Sequence, residues 1–128
     1  MGDVSFAPMV TLKCALLYVK DLPRMTAFYR DGLGLRVVTN SPTWVELDAG
    51  GATVGLHAIP DDIAKDIVIT TPPARRESTP LKLIFEALDL DSAMAHATGA
   101  GAVMDAPSPW GSCNGIDPEG NVFQISRA

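Results

Sequence analysis

The sequence repeats itself once, and this repeat constrains the fold more than any other feature. The segment Asp117–Ile125 (DPEGNVFQI) echoes, in degenerate form, the segment Asp48–Leu56 (DAGGATVGL) near mid-chain. A second pair of segments aligns without gaps, Cys14–Leu22 with Lys82–Leu90. Because the repeated unit is long and occurs only twice, it predicts a duplicated half-domain and not a solenoid.

Each copy of the repeat predicts one strand, one helix and three further strands. The first module is predicted over about residues 10–59 and the second over about residues 81–126, and a linker with four prolines joins them over about residues 60–80. A half of about sixty residues would bury too little surface to be stable alone, so the two modules are expected to share one core within residues 1–128. The pattern therefore predicts an α+β fold of a single domain.

Composition and charge exclude several classes of partner. The formal net charge is −5 and the only basic pair is Arg75-Arg76, whereas nucleic-acid binding requires clustered Lys and Arg. No charged N-terminal region precedes a long apolar run, so neither secretion nor a membrane partner is predicted. The two cysteines, Cys14 and Cys113, are expected to stay reduced, and we predict a cytoplasmic protein.

The alternation of side chains along each predicted strand divides the residues between two faces. In the first strand, Ala15, Leu17 and Val19 are predicted to pack under the helix. The opposite face is polar, mixed and aromatic, which predicts a pocket. It carries Cys14, Leu16, Tyr18, Trp44, Glu46, Thr53, Gly55 and His57 in the first module, and Lys82, Ile84, Glu86, Val122 and Gln124 in the second.

Two motifs at this separation resemble the vicinal oxygen chelate superfamily, which includes glyoxalases, bleomycin-resistance proteins and extradiol dioxygenases. They are the VKDL…FYRDGLGL segment at residues 19–35 and the closing DPEGNVFQI at residues 117–125. The resemblance covers about residues 10–126. It implies two βαβββ modules whose eight strands form a curled mixed sheet around a cleft, and in the enzymes a divalent metal bound in that cleft.

The family's four metal-ligand positions fall on Cys14, Gly55, Lys82 and Gln124, where the usual His and Glu are absent. Gly55 has no side chain, an ammonium at Lys82 repels a cation, and Gln124 offers a weak neutral oxygen. A thiolate at Cys14 alone does not make a site. His57, two residues past a family position, is a possible substitute ligand. No metal ligand set and no cofactor are therefore expected.

Several residues of the open face are candidates for chemistry, and each has a structural alternative. His57, Lys82 and Glu46 are the candidate catalytic acids or bases, although Lys82 and Glu86 can instead form an ion pair. The candidate ligand-binding residues are Cys14, Tyr18, Trp44, Glu86, Trp110 and Gln124. Their alternatives are core packing for the aromatic residues and small buried hydrophobic contacts for the cysteines. The turn at 117–120 is predicted to be structural and to position Gln124.

Two functions follow as hypotheses. The first is a metal-free protein of the bleomycin-resistance type that binds or sequesters a small aromatic or cationic ligand in the cleft. The second is an enzyme, either a metal-dependent lyase or dioxygenase with an atypical site, or a metal-free isomerase or lyase that uses His57, Lys82 or Glu46. The resemblance also implies a homodimer.

Overall fold

The computed structural model describes residues 9, 12–76 and 81–128, and its strands form two sheets, one for each module. The first module consists of β1 (Cys14–Val19), α1 (Leu22–Ala27), a π-helical turn (Phe28–Gly32), β2 (Arg36–Asn40), β3 (Trp44–Asp48) and β4 (Thr53–Ala58). The second consists of β5 (Leu83–Ala87), α3 (Leu90–Gly99), β6 (Val103–Met104), β7 (Ser112–Ile116) and β8 (Val122–Arg127). The short helix α2 (Asp61–Ala64) lies between them.

Both sheets have the same topology, which confirms the predicted α+β fold of two βαβββ modules. Sheet A has the strand order β1-β4-β3-β2 and sheet B the order β5-β8-β7-β6. In each sheet the first and last strands of the module pair in parallel, and the remaining pairs are antiparallel. The eight strands are thus divided into two four-stranded sheets, and within the described part of the chain no strand pairing joins sheet A to sheet B.

The linker and the first helix contain the two local features that the sequence pattern did not predict. Helix α2 forms within the linker, of which residues 77–80 lie outside the described residues. Module one has one more residue than module two between the helix cap and the glycine turn: Gly32 lies eleven residues after Asp21, whereas Gly99 lies ten residues after Asp89. A π-helical turn therefore follows α1. The wider turn, closed by Leu33 N–H donating to the Phe28 carbonyl, accommodates this extra residue.

Both longer helices begin at a side-chain cap. Asp21 accepts a hydrogen bond from Arg24 N, and Asp89 accepts one from Ser92 N. Each bond satisfies a backbone donor that would otherwise have no partner in the first helical turn. No helix within residues 12–76 and 81–128 is long and apolar enough to cross a membrane.

The helix-covered faces of the two sheets contribute to one hydrophobic core, as the alternation predicted. Val45, Leu47 and Leu56 of sheet A and Phe123 and Ile125 of sheet B belong to the same buried cluster, which also includes Met25, Phe28 and Tyr29. Because both sheets turn these faces towards a shared core, their opposite faces point away from each other within one chain. We call these opposite faces the open face of sheet A and the open face of sheet B.

The turn before β8 joins the two modules through two buried carboxylates. Glu119, which is 3% exposed, accepts hydrogen bonds from Lys20 N at 2.9 and 3.0 Å and from Asp21 N at 2.8 Å. Asp117, fully buried, accepts one from Tyr29 Oη at 2.8 Å. The predicted structural turn therefore also fixes module two against the start of α1, and we call this set of contacts the inter-module latch.

Burial at the latch raises the pKa of the Asp117 carboxyl, although hydrogen bonds from Asn121, Tyr29 and Glu119 oppose that shift. The pKa of Tyr29 lies well above its ordinary value of 10.0, because burial disfavours the phenolate and the neighbouring Asp117 charge repels it. Tyr29 therefore acts as a permanent hydrogen-bond donor at neutral pH.

We expect Tyr29→Phe to lower the free energy of unfolding by about 1.5–3 kcal/mol, because it removes a buried hydrogen bond to a carboxylate. The wild-type protein should also lose stability as the pH rises above about 10, where the unfolded chain releases the tyrosine proton that the folded chain retains. Urea unfolding of both proteins at pH 7 to 11 measures both effects.

The matched control is Tyr18→Phe, since Tyr18 is 62% exposed on the open face of sheet A and the chain has two tyrosines. This variant keeps the Tyr29–Asp117 hydrogen bond and should keep the alkaline loss of stability. Equal pH slopes in wild type and Tyr29→Phe would contradict the assignment.

Candidate functional site

Three rings form a row across the open face of sheet A. Tyr18 of β1 and Trp44 of β3 both lie opposite His57 of β4 in the strand register. The Tyr18 and His57 ring centroids are 5.6 Å apart at an interplanar angle of 53°, and those of Trp44 and His57 are 5.9 Å apart at 69°. These are ordinary separations for interacting rings, so the row forms one aromatic surface.

The Glu46 carboxylate lies beside this aromatic row and is held in place by two donors. Trp44 Nε1 donates to Glu46 Oε1 at 3.2 Å, and Thr53 Oγ1 donates to Oε2 at 2.8 Å. The side chain is half-buried on β3, two residues from Trp44 on the same face. The open face of sheet A therefore combines an apolar aromatic surface with an oriented negative charge.

His57 is oriented by the backbone of its own strand. Its Nδ1 lies 2.9 Å from the Ala58 carbonyl oxygen. In the neutral ring, a proton on Nδ1 donates to that carbonyl and leaves Nε2 as the acceptor. His57 can thus accept a hydrogen bond through Nε2.

The open face of sheet B carries amide and hydroxyl groups. Gln124 of β8 lies between Ile84 and Asn114 of the neighbouring strands, and its Nε2 donates to Ser126 Oγ at 2.7 Å. Ser126 in turn lies opposite Ser112 of β7. These asparagine and serine residues are not among the candidates predicted from the sequence, although the alternation in β7 places Ser112 and Asn114 on this face.

The structure separates the three candidate catalytic residues. His57 and Glu46 share the open face of sheet A, whereas Lys82 precedes β5 on sheet B, whose open face points away. The predicted alternative, an ion pair between Lys82 and Glu86, is wrong. Among the described residues, Lys82 Nζ donates to Asn114 Oδ1 at 3.3 Å, and no ion pair between Lys82 and Glu86 is found. The exposed Asn114 amide, on the adjacent strand β7, provides the nearer partner.

The family's metal positions do not converge in one chain. A side chain at Gly55 would place its Cβ 2.8 Å from Cys14 Sγ and 2.8 Å from Trp44 Cη2, so these two side chains fill the space. Lys82 and Gln124 lie on the other sheet. Within residues 12–76 and 81–128 no three His, Cys, Asp or Glu side chains come together as a metal-binding group. The donor set thus does not fit the metal site that the family implies.

Two further candidates lie outside the aromatic row. Trp110 is 82% exposed in the loop between β6 and β7. Cys113 is buried on the helix-covered face, where its Sγ donates to the Asp105 carbonyl at 2.9 Å, and burial raises the pKa of its thiol. Cys14 and Cys113 are both free cysteines, on different sheets.

Comparison with known proteins agrees with this architecture. The fold and the paired modules are those of the vicinal oxygen chelate superfamily. Residues 11–126 match the glyoxalase-like domain family, and the chain therefore belongs to that family. No curated protein matches the sequence significantly.

Solved structures with the same fold include proteins of different kinds. A glyoxalase/bleomycin resistance protein/dioxygenase family enzyme from Burkholderia phytofirmans PsJN has a TM-score of 0.71 at 21% identity, over 92% of this chain and 98% of that one. Lactoylglutathione lyase from Agrobacterium tumefaciens has a TM-score of 0.65 at 23% identity, over 95% and 96%. TnmS3, an antibiotic binding protein from Streptomyces sp. CB03234, has a TM-score of 0.63 at 23% identity, over 95% and 98%. At these identities the likeness shows the fold.

We expect Gly55→Ala to displace the Trp44 indole and to lower the free energy of unfolding by about 1–3 kcal/mol, because the new methyl group overlaps two side chains. Intrinsic fluorescence of Trp44, recorded in a Trp110→Phe background, should shift as the ring moves.

Gly99→Ala is the matched control, since a Cβ at Gly99 would meet no atom of the described residues within 4 Å. This variant should leave both the fluorescence and the stability nearly unchanged. Unchanged Trp44 emission in Gly55→Ala would show that the two side chains do not depend on the glycine.

Proposed function

We propose that this protein binds a small planar molecule with a cationic or N–H donor group, and that it does so without a metal. The observation that supports the proposal most is the occupation of the Gly55 position by Trp44 and Cys14, which replaces a metal ligand with an aromatic surface. The Glu46 carboxylate beside that surface supplies the charge.

The chemistry of the aromatic row favours this class of ligand. A planar ring can stack on Trp44 or Tyr18. A cationic ligand is also attracted electrostatically to the faces of these rings. A hydrogen bond from a charged donor to Glu46 is about twice as strong as a neutral one and fixes the orientation of the ligand. TnmS3, which shares the fold, is described as an antibiotic binding protein.

The proposed binding cleft is completed by a second copy of the chain. The two open faces point away from each other, and each exposes apolar side chains: Tyr18 is 62% exposed on sheet A and Ile84 is 60% exposed on sheet B. A homodimer that places sheet A of one copy against sheet B of the other covers both. It also brings the amide groups of Asn114 and Gln124 over the aromatic row. A cytoplasmic location without nucleic-acid or membrane partners is part of the same proposal.

We expect Trp44→Ala to weaken binding of a cationic aromatic dye such as proflavine by about tenfold, because it removes a stacking surface worth roughly 1–2 kcal/mol. Glu46→Gln should weaken binding of the cationic dye and leave binding of an uncharged aromatic compound unchanged. Titration calorimetry before and after EDTA treatment measures both, and the affinity should not depend on EDTA. Affinity that disappears with EDTA would overturn the metal-free proposal.

The dimer is tested by combining two variants that each weaken binding. Trp44→Ala alters only sheet A, and the double substitution Asn114→Ala/Gln124→Ala alters only sheet B. If the cleft is built from both copies, each heterodimer has one intact cleft, and after statistical exchange of equal amounts about a quarter of the binding sites should regain the wild-type affinity. Light scattering that shows only monomer, or no restoration on mixing, would contradict the shared cleft.

One observation favours an enzyme as the second candidate function. His57 has Nδ1 next to the Ala58 carbonyl, so its Nε2 is available as a base on the same face as Glu46. A metal-free isomerase or lyase could use this pair, with Lys82 contributed by a second copy. If a substrate is found, unchanged turnover by His57→Ala would exclude this candidate, whereas a loss of turnover that exceeds the loss of dye affinity would support it.

A further inference from the structure

The turn that forms the inter-module latch has a counterpart in module one, the turn after β3. That turn lacks the side chains of Pro118 and Glu119. The repeat aligns Pro118 with Ala49 and Glu119 with Gly50. Pro118 Cγ lies 3.3 Å from the position of a Cβ on Gly101, whereas a Cβ on Gly34, at the corresponding glycine turn of module one, would meet no described atom within 4 Å. The space that Pro118 fills at one junction is therefore open at the other.

A cavity of about 610 Å³ lies at this open junction, between the turn after the π-helical segment, the first turns of α3 and the strand β5. Ala49 is one of its lining residues. Its volume is within the range of small-molecule sites. Ala49, which stands where module two has Pro118, leaves this space open, and we call it the β5 cavity.

The lining of the β5 cavity combines an apolar floor with acidic groups. Leu35, Phe85 and Ile125 contribute to the floor, and the carboxylates come from Asp31, Glu86 and Asp89. No lysine or arginine is found among the described residues that line it. The local charge therefore favours a cation, and the floor favours an apolar body.

Glu86 is the carboxylate that remains available to a ligand. Asp31 already accepts from Arg30 at 2.8 Å, and Asp89 accepts from Ser92 N as the cap of α3. Glu86 has no hydrogen bond or ion pair within the part of the chain that the structure describes. Glu86 and Phe85 alternate along β5 and both line the cavity, the exposed Glu86 at its rim and the half-buried Phe85 at its floor. An ammonium group held by Glu86 would leave the apolar body of the molecule facing that floor.

We propose that the β5 cavity binds a small organic cation, an amine with a compact apolar body, and that it is a second ligand site distinct from the aromatic row. The aromatic row lies on sheet A, whereas the β5 cavity lies at the junction of the two modules, and the two sites use different carboxylates, Glu46 and Glu86. A ligand at the β5 cavity needs no planar ring, because the floor is largely aliphatic, and it needs no second copy of the chain.

Cyclohexylamine tests this proposal, because it is cationic at neutral pH and has no aromatic ring to stack on Trp44. Titration of the wild-type protein followed by ¹H–¹⁵N NMR should shift the amides of Gly34, Ser92 and Ala93 in a saturable manner. Cyclohexanecarboxylate, which has the same body and the opposite charge, should produce no saturable shift. Shifts confined to the amides of β1, β3 and β4 would overturn the proposal, as would equal binding of the acid.

Two variants and one control assign the binding to the cavity. Glu86→Gln should weaken cyclohexylamine about two- to fivefold, the range expected when an exposed ion pair is lost. Ala93→Phe should abolish the shifts by filling the space, and retention of the wild-type melting behaviour shows that it has folded. Glu46→Gln should leave cyclohexylamine binding unchanged. Glu86 is exposed, so Glu86→Gln should fold even if Ala93→Phe does not. Unchanged cyclohexylamine affinity in Glu86→Gln contradicts the proposal of a site at the β5 cavity. The dye experiments on Trp44 and Glu46 test the proposed function independently of this result.

Discussion

The Glu119 carboxylate is the contact on which the arrangement of the two modules depends. A buried carboxylate is costly unless donors surround it, and its donors, the backbone N–H groups of Lys20 and Asp21, belong to the other module. Tyr29 and Asp117 add a second buried bond across the same junction. The modules are thereby held with their helix-covered faces on one core, and the open faces are left outward. The outward open faces, and with them the separation of His57 from Lys82, follow from that orientation.

The duplication gives the chain two similar junctions that are filled differently. Pro118 and Glu119 close one junction with a ring and a carboxylate, whereas the β5 cavity, with Ala49 in its lining, lies at the other. A pair of docked modules needs one strong junction to fix their orientation. The second junction is then free to remain open, since the shared hydrophobic core and the latch already hold the modules together. Stability and an available cavity can in this way coexist in one small fold.

Local patterns in the sequence predicted the elements well, because alternation and glycine turns act over a few residues. The alternation assigned Trp44, Glu46 and His57 to one face, and the structure brings them together on the open face of sheet A. The relative orientation of the modules depends instead on contacts such as Tyr29–Asp117, which joins residues 88 positions apart. For the same reason the sequence placed Lys82 and His57 in one cleft, although a single chain directs them to opposite sides.

The open face of sheet A shows how one small residue changes the chemistry available to the fold. A Cβ at Gly55 would overlap both Cys14 Sγ and the Trp44 ring, so an indole in this place and a metal-ligating side chain at residue 55 are mutually exclusive. The Trp44 Nε1–H, fixed by this packing, donates to Glu46 and holds its carboxylate towards the same surface. The missing side chain at residue 55, the aromatic surface and the oriented charge therefore belong to a single packing arrangement, and a larger side chain at residue 55 would disturb the other two.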